Sequence, residues 1–248
     1  MIPSKVAYSN QSVQWRDLAR NEILADLPRE EVRSLLPRLE FCYLQANEVL
    51  ANSGRPISYC YFLLDSVVTL LSSFKEGQMV GVGIIGNEGM VGIRTILGRK
   101  AGSCLVLVHI PGTCLRIESD LLRGEFKRGG VLQERLLQYI GSIYSQVCQS
   151  TGCNRTHQLE QRLCRWLLNF QDRLKSNELG ITHESFSELL GAPRSDVTRT
   201  IAVLREMNAL ESSRGKVSIL NRKLLESRCC ECYSIVQNDR ASEVSVGW

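Results

Sequence analysis

The sequence has no apolar run near the roughly 18 to 20 residues that a membrane span requires, so we predict neither a membrane-spanning segment nor a membrane partner. The first residues, MIPSKVAYSNQSVQWRDLAR, lack the basic start and apolar block of a secretion signal, which makes a cytoplasmic location the expectation. Apolar residues nevertheless make up 44% of the 248 positions, enough for the core of one large domain or two ordinary ones.

Catalytic constellations are also missing. The chain has three histidines, His109, His157 and His183, and they are scattered without metal-ligand spacing. The sequence shows neither a nucleophile elbow nor a P-loop. We therefore do not expect an enzyme.

Cysteine, in contrast, is abundant, with ten residues. Cys104 and Cys164 sit in apolar runs, where buried free thiols behave as small hydrophobes. Cys229, Cys230 and Cys232 form a cluster, but the sequence shows no second ligand pair at a defined distance, as a zinc site normally needs. Local packing is thus favoured over metal or redox use, and we predict no metal.

Positive charge is concentrated late in the chain. Residues 155–228 hold 13 Lys/Arg against nine Asp/Glu, whereas the last twenty residues hold one Arg against three acids. This distribution is compatible with a polyanionic partner.

The pattern of apolar residues along the chain predicts an α+β protein. Residues 15–38 have apolar positions at helical spacing, and a short second helix is expected to end near Pro37. From about 40 to 117, runs rich in Val, Ile, Leu and aromatics alternate with Gly, Ser, Asn and Pro. Closely spaced strands of this kind favour an antiparallel sandwich or barrel.

A long helix is predicted over roughly 131 to 152. Its stripe steps by four and three residues in the manner of a coiled-coil seam, through Leu136, Ile140, Ile143, Val147, Ser150 and Asn154. Two interpretations remain open. The stripe either packs on the chain's own barrel or forms a parallel dimer seam, and the second is favoured because a long helix after a compact barrel has little else to bury it.

The next segment contains a helix over about 157 to 174 and two shorter helices. Thr182 is suited to cap the first short helix, and Pro193 to begin the second. In the second, Val197, Ile201 and Leu204 form one narrow apolar stripe. The residues Leu210 to Leu220 read as two short strands around a turn, a small wing.

The other faces of this second short helix carry Arg194, Ser195, Thr198 and Arg199. An arginine fork can grip the two acceptors on a guanine edge, and Ser or Thr hydroxyls can contact a base or a phosphate. Arg214 and Lys216 in the wing would lie near a flanking DNA backbone. DNA reading is favoured, but a plain packed helical pair stays open.

Several segments resemble the Crp/Fnr family of transcription regulators. ITHESFSELLGAPRSDVTRTIAVLREMNALESSRGKVSIL is similar to the family's helix-turn-helix and wing, and LEQRLCRWLL and NRKLLESRCCECY are similar to its flanking segments. The resemblance implies an N-terminal β-roll of the cyclic-nucleotide-binding type, a long dimerisation helix and a C-terminal winged helix-turn-helix. The corresponding ranges are 1–130 for the helices and β-roll, 131–154 for the dimerisation helix, 155–233 for the DNA-binding domain and 234–248 for a tail.

The resemblance also implies roles for particular residues. The family pattern R-E-T-V-x-R, which contacts DNA, aligns with Arg194 to Arg199, keeping both arginines but placing Ser195 at the glutamate position. The base preference of the best-known member is therefore not carried over. Thr182 and His183 match positions that touch phosphates in relatives, although His183 also suits a solvent-exposed helix start. A homodimer joined through Leu136, Ile140, Ile143, Val147 and Ser150 is implied, with RNA polymerase as a partner and a hinge near Cys153 to His157.

The effector site departs from the family. Nucleotide-binding members carry G-E-x-x-L followed by R-S/T-A, whereas this chain reads GNEGMVGI and GRKAGSCLVL, with Gly102 at the arginine position and Arg99 and Lys100 out of register. The candidate effector pocket is Gly86, Asn87, Glu88, Gly89 and Ser103. Because the charged fork for phosphate is missing, a cyclic nucleotide is not expected and no cofactor is predicted.

Other family sensors fit no better. An iron–sulfur sensor needs closely spaced cysteines near the N-terminus, and the first cysteine here is Cys42. His109 is available to haem, but a lone histidine in an apolar strand is more often packed.

The sequence therefore predicts a homodimeric, sequence-specific DNA-binding regulator acting on a palindromic site. The alternative is a small-molecule-binding regulatory module that acts through protein contacts rather than DNA.

Overall fold

The structure, a computed structural model, describes residues 7–8, 12–25, 27–75, 77–98, 102 and 104–245. The chain divides into two compact units. The first contains Met1–Leu70 and Ile85–Gly141, and the second contains Leu71–Ile84 and Ser142–Trp248. Within the described ranges, every helix is too short or too polar to cross a bilayer.

Short strands dominate the first 118 residues. In chain order they are β1 (Ala7–Tyr8), β2 (Glu40–Leu44), β3 (Val49–Ala51), β4 (Tyr59–Leu63), β5 (Val67–Ser73), β6 (Met79–Ile85), β7 (Met90–Val91), β8 (Cys104–Ile110) and β9 (Gly112–Glu118). The helices of this part are α1 (Trp15–Leu18), α2 (Arg29–Leu35) and α3 (Ile93–Ile96), and a 3-10 turn covers Leu36–Arg38. Helix α4 (Ser119–Lys127) follows directly after β9.

The first unit is built on antiparallel strand pairs. One sheet has the order β1-β2-β9-β4-β7, with registers such as Cys42 opposite Cys114 and Tyr61 opposite Arg116. Three strands of a second sheet follow the order β3-β8-β5. These pairings confirm the antiparallel β architecture predicted for residues 40–117. The strands form here because the apolar runs of the sequence are short and separated by turns.

The core of this unit comes from the inward faces of the strands. Leu44, Phe62, Leu63, Val108 and Leu115 are completely buried. His109 on β8 is buried as well, and burial lowers its pKa to about 4 because the charged imidazolium is disfavoured away from water.

The long helix α5 spans Val131–Thr156, two residues beyond the predicted end of the dimerisation helix. The structure corrects the predicted dimer stripe at two positions. Leu136 and Ser150 are completely buried within the chain itself, so their side chains offer no surface to a partner. Ile140, Ile143 and Val147 are half-buried.

The exposed stripe of α5 is displaced by one residue from the predicted one. Leu137 and Tyr144 are 49% and 70% exposed, and Gly141, Cys148 and Thr151 are also exposed. These positions step by four and three residues, so they form a continuous seam of the coiled-coil type.

The second unit is mainly helical. Its C-terminal elements are α6 (Leu159–Leu174), β10 (Glu178–Leu179), α7 (His183–Leu190), α8 (Arg194–Glu206), β11 (Leu210–Ser213), β12 (Lys216–Ile219), α9 (Arg222–Arg228) and α10 (Cys232–Ser245). Three buried aromatic side chains centre its core. The Phe170 ring lies 6.1 Å from Trp166 and 6.4 Å, edge to face, from Phe186.

The same unit includes the end of β5 and most of β6, which flank the turn closed by the Phe74 amide and the Gln78 carbonyl at 2.9 Å. Gly81 on β6 lies against the Trp166 ring, and a Cβ at Gly81 would clash with that ring. The Asn154 side chain donates to the Gly81 carbonyl at 3.1 Å. This strand therefore packs on α6 only because residue 81 has no side chain.

Candidate nucleic-acid interface

Helix α7 has well-defined ends. The Thr182 hydroxyl accepts from the Ser185 amide at 3.0 Å, which is the cap expected from the sequence. Gly191 ends the helix with a positive φ of 56°, and the Ala192 amide bonds back to the Ser187 carbonyl at 3.2 Å. Glycine suits that left-handed position and allows the chain to turn into the next helix within three residues.

Helix α8 begins directly after Pro193 and is held by its apolar stripe. Val197, Ile201 and Leu204 are 0%, 1% and 0% exposed. The stripe packs within the second unit, where α8 contacts α6, α7 and β11. This burial confirms the predicted inward face and fixes which residues of α8 point to solvent.

The solvent face of α8 carries two arginines. The side chains of Arg194 and Arg199 are 68% and 76% exposed. Arg194 pairs with Glu184 and Arg199 with Asp196, both at 3.4 Å. Exposed pairs of this kind contribute about 1 kcal/mol or less, so either guanidinium can exchange its carboxylate for another anion or acceptor at small cost.

Ser195 and Thr198 complete this face, and both are exposed. Thr198 does not stand alone, because its hydroxyl lies 3.1 Å from His183 Nδ1. The other ring nitrogen of His183, Nε2, lies 2.9 Å from the Ser212 hydroxyl on β11. His183 therefore bridges the start of α7, the middle of α8 and the wing.

The charge state of His183 follows from its position. Partial burial lowers its pKa, and the positive charges of Arg194 and Arg205 lower it further. The ring is thus neutral around neutral pH in the free protein. Sequence reasoning placed His183 among the phosphate contacts, and the structure adds the bridging role.

The wing is the hairpin of β11 and β12. Gly215 has a φ of 78° in its turn, next to the exposed Arg214. Lys216 Nζ lies 2.5 Å from the Glu178 carboxylate on β10, which pairs with β12. Both basic residues predicted for the wing are therefore placed on one short hairpin.

The predicted effector residues lie in a turn of the first unit that is already internally bonded. The Glu88 carboxylate accepts from the Gly86 amide at 3.0 Å, and the Gly89 amide donates to the Gly86 carbonyl at 3.2 Å. The Asn87 carbonyl accepts from the Glu22 amide at 2.9 Å. Ser103, Arg99 and Lys100 lie outside the described residues.

Sequence reasoning missed the partners of the predicted residues. Glu184 and Asp196 hold the two arginines, and Ser212 anchors His183. Asp196 had a local signal, since it stands three residues before Arg199. The Ser212 contact spans 29 residues and has no signal in the sequence pattern.

Sequence reasoning also missed a second ligand pair for the late cysteines. Cys153 and His157, at the end of α5, lie beside Cys230 and Cys232, and the four ligand atoms are within 4.8 Å of one another. The premise for predicting no metal, that no second ligand pair exists, is corrected by this placement.

Comparison with known proteins agrees with this geometry. Residues 161–228 match the model of the Crp-like helix-turn-helix domain, a range that includes α7, α8 and the wing. The chain is 20% identical over 211 residues to the global nitrogen regulator of Nostoc sp. strain PCC 7120, covering 82% of this chain and 94% of that protein.

Two solved structures share the fold. One is a Crp/Fnr family regulator from Eubacterium rectale, with a TM-score of 0.67, 18% identity and coverage of 84% of this chain and 98% of that one. The other is FixK2 from Bradyrhizobium japonicum, with a TM-score of 0.67, 13% identity and coverage of 77% and 98%. The domain match identifies residues 161–228 as a Crp-like helix-turn-helix domain, and the chain shares the fold of these Crp/Fnr-type structures.

Proposed function

We propose that the protein binds a palindromic DNA site as a homodimer and regulates transcription from it. The observation that carries this proposal is the division of α8 into a fully buried stripe and an exposed face with Arg194, Ser195, Thr198 and Arg199. A helix held in this way presents its N-terminal end to the major groove, the docking mode of helix-turn-helix proteins.

Each exposed residue has a suitable chemistry. Arg199 and Arg194 offer guanidinium forks for the O6 and N7 acceptors of guanine or for phosphate oxygens. Ser195 adds a hydroxyl that accepts or donates. Lys216 and Arg214 on the wing supply positive charge for the backbone beside the groove, where contacts position the protein without reading sequence.

The homodimer is supported by the exposed seam of α5. Leu137 and Tyr144 are large apolar side chains seven residues apart on a helix of 26 residues, and both face solvent in the single chain. A second copy of the helix would cover them in a parallel pair. Two recognition helices would then face half-sites about one helical turn, roughly 34 to 36 Å, apart.

A transcription regulator needs a protein partner, and its activity can depend on an effector. RNA polymerase is the proposed protein partner, since regulation requires a contact with it or a block to its access. Cyclic AMP and cyclic GMP are not proposed as effectors, because the amides of Gly86 and Gly89 are used within the turn and Gly102 replaces the phosphate-binding arginine.

Selection of binding sites from a random duplex pool tests the DNA proposal. The expected product is a twofold-symmetric motif, bound much more tightly than random duplex at a stated salt concentration. The Arg194→Ala, Arg199→Ala double variant should lose that preference while keeping its fold. Equal affinity for selected and random duplexes in the wild-type protein would overturn the proposal.

The dimer is tested separately by Tyr144→Glu. Sedimentation should show a monomer, because two carboxylates would meet at the seam. The control is Leu97→Glu, a similar change at a 51% exposed apolar residue outside α5 that should leave a dimer intact. A wild-type protein that sediments as a monomer at micromolar concentration would refute the proposed dimer and would leave the proposal of DNA binding unaffected.

A further inference from the structure

The group formed by Cys153, His157, Cys230 and Cys232, here called the Cys3His cluster, has the composition of a metal site. The Sγ atoms of Cys153 and Cys230 are 3.5 Å apart, and Cys232 Sγ lies 3.5 Å from His157 Nδ1. In a tetrahedral site with Zn–S bonds of about 2.3 Å, neighbouring ligand atoms are about 3.8 Å apart. The cluster therefore already has nearly the separations that a single tetrahedral ion imposes.

Local structure explains how the four ligands converge. Cys153 and His157 are four residues apart, and the His157 amide still donates to the Cys153 carbonyl at 3.1 Å, so both side chains share one face at the end of α5. Cys230 and Cys232 flank Glu231 in the turn that starts α10, where the Tyr233 amide bonds to the Cys230 carbonyl at 3.2 Å. Three of the four residues are buried and His157 is half-buried.

The surroundings orient the ligands as outer residues of metal sites do. His157 Nε2 lies 3.2 Å from the Glu231 carboxylate, which leaves Nδ1 as the nitrogen that faces the sulfurs. A carboxylate on the far nitrogen fixes the ring and its tautomer in zinc sites. The Gln149 amide group donates to Cys232 Sγ at 3.1 Å, a contact that a thiolate accepts well.

A charge imbalance points to an anion at the same place. Arg165 is 3% exposed, and although Nη1 donates to the Ser150 hydroxyl at 3.2 Å, its Nε and Nη2 have no hydrogen-bond partner among the described residues. Arg162 Nε is also buried without one. Both guanidinium groups interact electrostatically with Cys153. A buried cation of this kind requires compensating negative charge nearby.

We propose that the Cys3His cluster is a structural Zn²⁺ site. Binding of one Zn²⁺ displaces three protons from the three thiols and takes the lone pair of His157 Nδ1, giving a four-coordinate centre with a net charge of −1. That negative charge matches the unmet donors of Arg165 and Arg162. With four protein ligands the centre has no open position, which is the arrangement of structural rather than catalytic zinc.

A single ion suits the cluster better than an iron–sulfur centre. All four ligand atoms lie within 4.8 Å of one another. Iron–sulfur clusters place their ligands on separate iron atoms, with sulfide between them, and so need ligand atoms spread further apart. The remaining competitor is a disulfide between Cys153 and Cys230, which would consume two ligands and exclude the ion.

The proposed ion joins segments that are far apart in the chain. Cys153 and Cys230 are 77 residues apart, and the loop between them contains α6 to α9 and the wing. Closing that loop ties the start of α10 to the end of α5 within the second unit. Metal binding of this type adds directly to folding stability, because the unfolded chain has no preformed site.

The wild-type full chain provides the first test. After purification in a thiol reductant, elemental analysis should find one zinc per chain. Zinc X-ray absorption should give three sulfur neighbours at about 2.3 Å and one nitrogen at about 2.0 to 2.1 Å. The metal-free, reduced chain titrated with Co²⁺ should develop the strong visible absorption of tetrahedral cobalt and a thiolate charge-transfer band, saturating at one equivalent. A reduced chain that holds no zinc and shows only the weak absorption of hexaaqua cobalt would overturn the proposal.

Variants identify the ligands. Cys230→Ser and Cys153→Ser should abolish stoichiometric zinc, whereas the neighbouring, half-buried Cys229→Ser should retain it. His157→Cys should keep the ion and change the first shell seen by absorption to four sulfurs, a result that does not depend on a folded loss-of-metal variant. Retention of tetrahedral cobalt by Cys230→Ser, or a Cys153–Cys230 disulfide that persists in wild-type protein purified in the thiol reductant, would refute the assignment.

Discussion

Replacing Arg199 by alanine should remove sequence preference while leaving the fold intact. In the structure, the Arg199 side chain is 76% exposed and its ion pair with Asp196 spans 3.4 Å. Loss of such an exposed pair changes the free energy of unfolding by about 1 kcal/mol at most. The melting temperature of the variant should therefore stay close to that of the wild-type protein.

The effect on DNA binding should be larger. A bidentate arginine–guanine contact contributes about 1 to 3 kcal/mol of discrimination between bases. That corresponds to about a 5- to 160-fold loss of affinity for the selected site per recognition helix. Affinity for random duplex depends on phosphate neutralisation and should fall much less. A homodimer has two recognition helices, so this loss of affinity applies once for each of them.

Fluorescence anisotropy with the selected duplex and a scrambled duplex, at one fixed salt concentration, measures both quantities. Arg205→Ala is the matched control, because Arg205 is an exposed arginine in the last turn of the same helix. It should weaken both duplexes similarly. If Arg199→Ala left the ratio of the two affinities unchanged, Arg199 would not read a base, and the assignment of the α8 face would have to be revised.

Three further changes probe the scaffold. Ile201→Ala, at a position 1% exposed, should lower the free energy of unfolding by about 2 to 5 kcal/mol, and an unshifted urea midpoint would contradict the buried stripe. Gly81→Ala should cost about 1 to 3 kcal/mol because its Cβ would meet the Trp166 ring, while Gly180→Ala, with open space around it, should be close to neutral in the same melt. Burial lowers the pKa of His109 to about 4. Between about pH 6.5 and 4 the unfolded chain therefore takes up a proton at His109, whereas the folded chain does not. The free energy of unfolding should fall by about 3 kcal/mol as the pH drops through that window. His109→Gln should flatten this slope, and a slope unchanged by the substitution would place its origin elsewhere.

The sequence predicted best what neighbouring residues determine. The Thr182 cap, the start of α8 after Pro193 and its Val197, Ile201 and Leu204 stripe depend on spacings of three to seven residues, which fix both hydrogen bonds and helix faces. The strands of residues 40–117 could also be predicted, because short apolar runs and the turns between them are local features of the sequence.

The failures have a common physical cause, which is that distant segments decide them. A heptad pattern on α5 has two adjacent stripes, and only the tertiary packing shows that Leu136 and Ser150 are covered while Leu137 and Tyr144 are exposed. Likewise, no local pattern connects Cys153 with Cys230 across 77 residues. The Arg194 and Arg199 positions were predicted, and Asp196 had a local signal, but the pairing of Arg194 with Glu184 on another helix needed the fold.

The imidazole of His183, hydrogen-bonded on one side to Thr198 and on the other to Ser212, links α8 to the wing before any nucleic acid binds. A binding surface whose parts are already linked loses little conformational entropy when it binds a duplex. Calorimetry of the isolated association should then show only a modest heat-capacity change, without the large signature of coupled folding, and any deformation energy would fall on the DNA rather than on the protein.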